Sequence, residues 1–160
     1  MAGAVEQVIQ VMIIDDDDAF RDSLQTLLNE KGNLRCEQAC DSCEEALEIL
    51  AGDYVPQIIL LDIQLPGMSG IEGIRRLKSV SPVTPIIMLT VFDEDDKIFN
   101  AICLGAAGYL LKSASAARIH SAIEEVLCDI ILKVLLFSKK EIPEITGSPI
   151  SLILVVSKIL

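Results

Sequence analysis

The chain has 160 residues, 51% apolar and 4% aromatic, with 13 Lys and Arg against 24 Asp and Glu for a formal net charge of −11. That length suits one domain able to bury roughly two thirds of its unfolded surface around an aliphatic core, and the negative balance is the wrong sign for holding a phosphate backbone, so direct nucleic-acid binding is not expected. No basic region precedes an apolar run at the N-terminus, no stretch approaches the ~20 apolar residues of a membrane span, and the five cysteines are an odd count, so a cytoplasmic chain with reduced thiols and no membrane partner is expected.

Val8 to Ile14 reads as a strand buried on both faces, and it runs straight into four consecutive aspartates, Asp15 to Asp18. At an effective dielectric near 20, two like charges ~4 Å apart repel by roughly 4 kcal/mol, so something must offset that run. Asp18 or its neighbour can cap a helix that carries Phe20, Leu24, Leu27 and Leu28 on one face and stops at Gly32. The same alternation then recurs. A strand is expected over 34–39, a helix over 43–51, a strand over 57–61, a helix over 70–80, a strand over 85–90, a helix over 95–104 opened by the acidic run Asp93 to Asp96, a strand over 108–111 and a helix from about Ala114. Five β-α units, with strands such as "VMII", "IILL" and "IIML" apolar without alternation, predict an α/β fold: a doubly wound parallel sheet with helices on both faces.

In open sheets of this class ligands bind beyond the carboxyl ends of the strands. The residues expected there are Asp15, Asp16, Asp62, Thr90 and Lys112, three acids, a hydroxyl and an ammonium from four separate strands. Three carboxylates on one rim are mutually destabilising unless a hard cation sits among them, and Mg²⁺ takes one or two carboxylates together with waters and phosphate oxygens. Asp17 and Asp18 better suit the start of the following helix, where the dipole favours acids.

The segments "IIDDDDAFRDSL", "IILLDIQLPGMSGIEGI", "IIMLT" and "AAGYLLK" together resemble the receiver domain of bacterial two-component response regulators over about 8–127, and the stretch from Leu89 to Ser113 is most similar to the NarL/FixJ type. The resemblance implies a flavodoxin-like receiver fold with strand order 2-1-3-4-5. It implies Asp62 as phosphoacceptor for a sensor histidine kinase or phosphotransfer protein, with Mg²⁺ bound by Asp16, Asp62 and the Gln64 backbone carbonyl directly and by Asp15 through water. Lys112 and Thr90 would bind phosphoryl oxygens, and Thr90 with Tyr109 would form a switch pair that alters the face of helix 4, strand 5 and helix 5. Such a chain modifies itself and is not otherwise an enzyme.

Three other readings compete. A Mg²⁺-dependent aspartyl phosphatase of the haloacid dehalogenase type wants D-x-D-x-[TV] after its first strand, which Asp15, Asp17 and Ala19 fail at the last position. A receiver-like scaffold that is never phosphorylated is the second. The C-x3-C-x2-C spacing of Cys36, Cys40 and Cys43 matches iron–sulfur ligands, against the simpler reading of small buried hydrophobes. His120, mid-helix, reads as a surface residue.

Ser113 stands where most receivers have proline after the lysine, which leaves the geometry of that peptide open. Beyond 127 the expectation is an apolar extension over 128–160 with no DNA-binding domain. It would continue helix 5 through Ile130, Ile131, Val134 and Leu135 to Lys139 and Lys140, stop at Pro143, and add a second segment, "SLILVVSKIL". A homodimer built through this extension is expected.

Overall fold

The structure, a computed structural model, describes residues 7–30, 32–91 and 95–138, with the backbone alone at 95 and 134–138. Asp93, Lys139, Lys140, Pro143 and the segment 151–160 lie outside the described residues. Five strands, β1 (Ile9–Ile14), β2 (Leu34–Cys40), β3 (Ile58–Asp62), β4 (Ile86–Thr90) and β5 (Gly108–Leu111), alternate with α1 (Asp18–Glu30), α2 (Cys43–Leu50), α3 (Gly70–Val80), α4 (Asp95–Cys103) and α5 (Ala116–Ser138). All four strand pairings are parallel and the order is β2-β1-β3-β4-β5. The expected fold class, strand order and ten elements are therefore all present.

Two aliphatic layers sandwich the sheet. One joins Ile9, Val11 and Ile13 of β1 to Leu24 and Leu28 of α1 and Ile119, Ile123 and Leu127 of α5. The other joins Met12 and Ile14 to Ala46 and Leu50 of α2, Ile74 and Leu77 of α3 and Ala101 of α4. Alternate residues of one strand thus feed opposite layers, which is why β1, β3 and β4 read as unbroken apolar runs.

β2 breaks that alternation. Gln10 pairs with Arg35 but Met12 pairs with Gln38, so β2 carries an extra residue between them. The bulge turns the strand over: Cys36 packs in the α1/α5 layer, while Cys40 joins Cys43 in the opposite one. The spacing that suggested iron–sulfur ligation therefore divides its cysteines between two faces of the sheet. Burial pushes all three thiols up to about 12, as expected of packing residues.

The helix ends follow local chemistry. Asp17, rather than Asp18, caps α1, accepting from Phe20 N at 3.1 Å; Ser42 and Ser69 accept from Glu45 N and Glu72 N at the starts of α2 and α3. α5 runs unbroken to Ser138, so the boundary expected at 127 falls inside one continuous helix, and Ile131 is still buried in the α1/α5 layer. No cis peptide occurs among the described residues, so Lys112–Ser113 is trans. No helix among them is long and apolar enough to cross a membrane.

One contact sets the position of α3. Gly70 N donates to Ile63 O at 3.0 Å, and a Cβ at Gly70 would lie 2.0 Å from Asp62 O and 2.8 Å from Ile63 Cα. Only glycine lets the helix start this close to the strand end. Gly70→Ala should therefore cost about 2–4 kcal/mol in urea unfolding with an unchanged m-value. Gly73→Ala should cost less, because its Cβ would clash with a side-chain atom, the Cys43 thiol, rather than with backbone. Equal losses would show that backbone clash is not what distinguishes the two positions.

Candidate functional site

The register brings the chemistry to one rim. Ile14 pairs with Leu61, Asp62 with Leu89 and Thr90 with Leu111, so the ends of β1, β3, β4 and β5 lie side by side. Asp62 is itself the last residue of β3, one position further into the strand than expected. Asp15 and Asp62 are buried, Thr90 is buried, and Asp16 is exposed.

Asp15, Asp16 and Asp62 each present a carboxylate oxygen, all within 4.8 Å of one another. The Lys112 ammonium reaches into this group, with Nζ 2.6 Å from Asp15 Oδ2 and 3.1 Å from Asp62 Oδ2. The contact to Asp15 is the shorter of the two ion pairs. Desolvation by burial raises the Asp62 carboxyl above the usual range, and Asp15 adds to this, against the Lys112 and Gln64 contacts. Burial works against the Lys112 charge, but Asp15 and Asp62 outweigh it and its pKa is raised.

The run of four aspartates is resolved residue by residue. Asp15 faces Lys112, and its Oδ1 accepts from Asp17 N at 2.9 Å; Asp17 caps α1; Asp18 pairs with Arg21, whose Nη1 also donates to Asp15 O at 2.7 Å. Asp16 is left facing solvent beside the two buried acids. Three carboxylates against one ammonium leave a net negative, oxygen-only pocket open on one side, and that donor chemistry fits a hard divalent cation completed by water.

Gln64 meets the cluster through its N–H, which donates to Asp62 Oδ1 at 3.1 Å. Lys112 N donates to Thr90 O at 2.8 Å, tying the hydroxyl-bearing strand end to the lysine loop. Tyr109 stands apart, opposite Met88 on β5 with 44% of its surface exposed. His120 is half-buried on α5, with Nδ1 3.6 Å from Glu124 Oε2.

Sequence reasoning missed three supporting residues. Phe20, read only as an apolar helix position, lies with its ring beneath the Lys112 ammonium, the centroid 4.7 Å from Nζ. Arg21 clamps the β1–α1 turn. Glu44 accepts from Met68 N at 3.0 Å and so pins the loop that follows Asp62. Only the basic residue three positions after Asp18 had a local signal; the other contacts join residues too far apart in the chain for any spacing rule.

Residues 11–124 match the family model described as the response regulator receiver domain. The chain belongs to that family. It is 34% identical over 116 residues to the transcriptional regulatory protein LiaR of Bacillus subtilis, covering 72% of this chain and 54% of that protein. It is 36% identical over 119 residues to LnrK of the same organism, covering 74% and 54%. The chain thus spans about half the length of these curated relatives. Among solved structures it resembles the signal receiver domain of NarL from Mycobacterium tuberculosis, with TM-score 0.69 and 28% identity over 74% of this chain and 95% of that one. It also resembles a CheY-like receiver domain protein from Methanospirillum hungatei, with TM-score 0.71 and 25% identity over 79% and 99%. The NarL/FixJ-type receiver is thereby borne out, and nothing in fold or family supports the aspartyl phosphatase.

Removing one partner of a buried ion group costs more than the pair contributes, so Lys112→Ala should destabilise the cation-free protein by about 2–4 kcal/mol in thermal denaturation. Asp62→Asn should do the reverse. A carboxyl raised above its unfolded pKa loses stability as pH climbs from the unfolded value through the folded one, and the amide removes that loss while Lys112 keeps Asp15. A melting temperature for Asp62→Asn below that of the wild type at pH 7 would refute this account of the cluster.

Proposed function

We propose that this receiver domain takes a phosphoryl group onto Asp62 from a sensor histidine kinase or phosphotransfer protein. The observation that carries the reading is Lys112 bridging Asp15 and Asp62 at 2.6 and 3.1 Å beside an acid cluster suited to a divalent cation. An Asp62 carboxylate oxygen attacks phosphorus in line; the new O–P bond forms as the N–P bond of the phosphohistidine breaks, and the imidazole leaves. Mg²⁺, held by Asp16, Asp62 and the Gln64 carbonyl, with Asp15 acting through water, would neutralise charge on the phosphoryl oxygens. Lys112 exchanges its carboxylate contact for a phosphoryl oxygen, and Thr90 bonds another. Positioning and charge neutralisation are most of what phosphoryl transfer needs from a protein. The domain thus serves as self-modifying substrate and not as a turnover enzyme.

The output follows from the charge change. Phosphorylation leaves about −1.5 to −2 charges where one carboxylate stood. Thr90 moving toward that charge would free space for the Tyr109 ring to turn inward. Phe99, Ile102 and Tyr109 are exposed on α4 and β5, the surface such a turn would remodel. A cytoplasmic location, where Mg²⁺ and phosphodonors are at hand, goes with this reading.

Acetyl phosphate with Mg²⁺ should add a single phosphate by intact mass, absent in Asp62→Asn and absent when Mg²⁺ is chelated before the phosphodonor is added. A chain that never labels would instead be a receiver-like scaffold, and an adduct surviving Asp62→Asn would place the acceptor elsewhere.

The partner reading includes a second copy of the chain. α5 continues 14 residues beyond the family match, from 124 to Ser138, and exposes Leu132. We infer a homodimer through this helix and the residues after it, formed without phosphate. Because Ile131 is a core residue, the informative truncation ends at Ser138. Light scattering should give a dimer for the full chain and a monomer for the truncated one; a monomeric full chain ends the idea.

A further inference from the structure

The rim opposite the acid cluster, where the strands begin, has the inverse chemistry. Its described loops, 7–8, 32–33, 51–57, 81–85 and 104–107, contain one charged residue, Asp53, in a chain that is 23% charged overall. Val55 and Val83 are exposed there at 62% and 65%, and Val80, at the end of α3, at 45%.

These valines sit on a fixed frame. Thr84 Oγ1 donates to Pro56 O at 3.1 Å and lies 2.6 Å from Ser81 Oγ, joining the loop of Val55 to that of Val83. Lys78 Nζ donates to Thr84 O at 2.8 Å. Ser81 and Thr84 are buried. A frame of buried hydrogen bonds that presents β-branched apolar side chains to water, its one ammonium, Lys78, turned onto the Thr84 carbonyl, has the composition of an interface centre rather than of a solvated loop cluster.

The course of α5 points to the occupant. A Cβ added at Gly108, the first residue of β5, would lie 3.9 Å from Val126 Cγ2, so α5 has reached this rim by Val126. From there to Ser138 it advances about 18 Å further at 1.5 Å per residue. The sequence that follows ends in "SLILVVSKIL", with Lys158 its one charge. The described part of α5 thus runs past its own rim and exposes Leu132 there, in the direction from which a facing molecule would approach.

We propose that the valine rim is the surface on which a second copy of this chain docks, rim to rim, with the C-terminal part of each chain against Val55, Val80 and Val83 of the other. This deepens the self-association reading above and rests on it. The acid cluster, at the other end of the sheet, stays open to a phosphodonor in such a dimer.

The full chain and its Val55→Ser, Val83→Ser variant should be compared by sedimentation equilibrium, with acetyl phosphate labelling as the check on folding. The proposal expects a dimer whose dissociation constant rises at least 50-fold in the variant while labelling is unchanged. A variant that dimerises as tightly as wild type overturns the valine rim and leaves self-association standing; a monomeric wild type overturns both. If the double variant fails to label, a photo-crosslinking residue at position 83 replaces it, with one at exposed Val91 on the opposite rim as control. Dimer-mass product from position 83 alone supports the proposal. Cross-links within one chain, or equal yield from both positions, overturn it.

Discussion

The Lys112 ammonium among three carboxylates is the contact on which the rest of this domain turns. Asp15 and Asp62 end adjacent central strands and are buried there, an arrangement that costs several kcal/mol if left uncompensated. Lys112 answers part of it from the far side of the sheet, across a sequence separation of 50 from Asp62. For that answer to arrive, β1, β3, β4 and β5 must all be paired in register. The ion group therefore reports the correct assembly of the whole sheet, and it leaves a negative excess that a divalent cation can satisfy.

Close backbone approaches hold that group in place. Gly70 lets α3 begin against the carbonyl of Asp62, so the residue proposed to be modified sits on a strand whose end is clamped by the helix that follows. Glu44 reaches from α2 to the Met68 amide and steadies the intervening loop. Arg21 does the same for the β1–α1 turn, and the Phe20 ring packs against the Lys112 ammonium. Each supports a group that must be aligned before phosphoryl transfer rather than one that reacts, as expected of chemistry governed by preorganisation.

The two ends of the sheet have been given opposite characters by the same topology. Strand C-termini point into a rim of acids, while the loops feeding the strand N-termini carry valines on a hydrogen-bonded frame and, among their described residues, a single charge. All five helices run back from the first rim to the second, and α5 alone continues well past it. A phosphodonor and a second copy of the chain can thus be served at once, because the surfaces proposed for them lie about one strand length apart.

Sequence alone determined the alternation of elements, the parallel sheet, its order through the family resemblance, and the five residues at the strand ends. Those signals are local: unbroken apolar runs mark strands buried on both faces, and acids or a lysine just beyond them mark the rim. Tertiary structure decided what depends on neighbours distant in the chain. The bulge in β2 arises from pairing with β1, and it alone sends Cys36 and Cys40 to opposite faces. That Lys112 lies nearer Asp15 than Asp62, that Phe20 serves the lysine as well as the core, and that Val55 and Val83 share one frame all follow from packing across 28 to 97 residues of chain. No periodicity encodes such contacts, because each exists only once both partners have been brought together by the sheet.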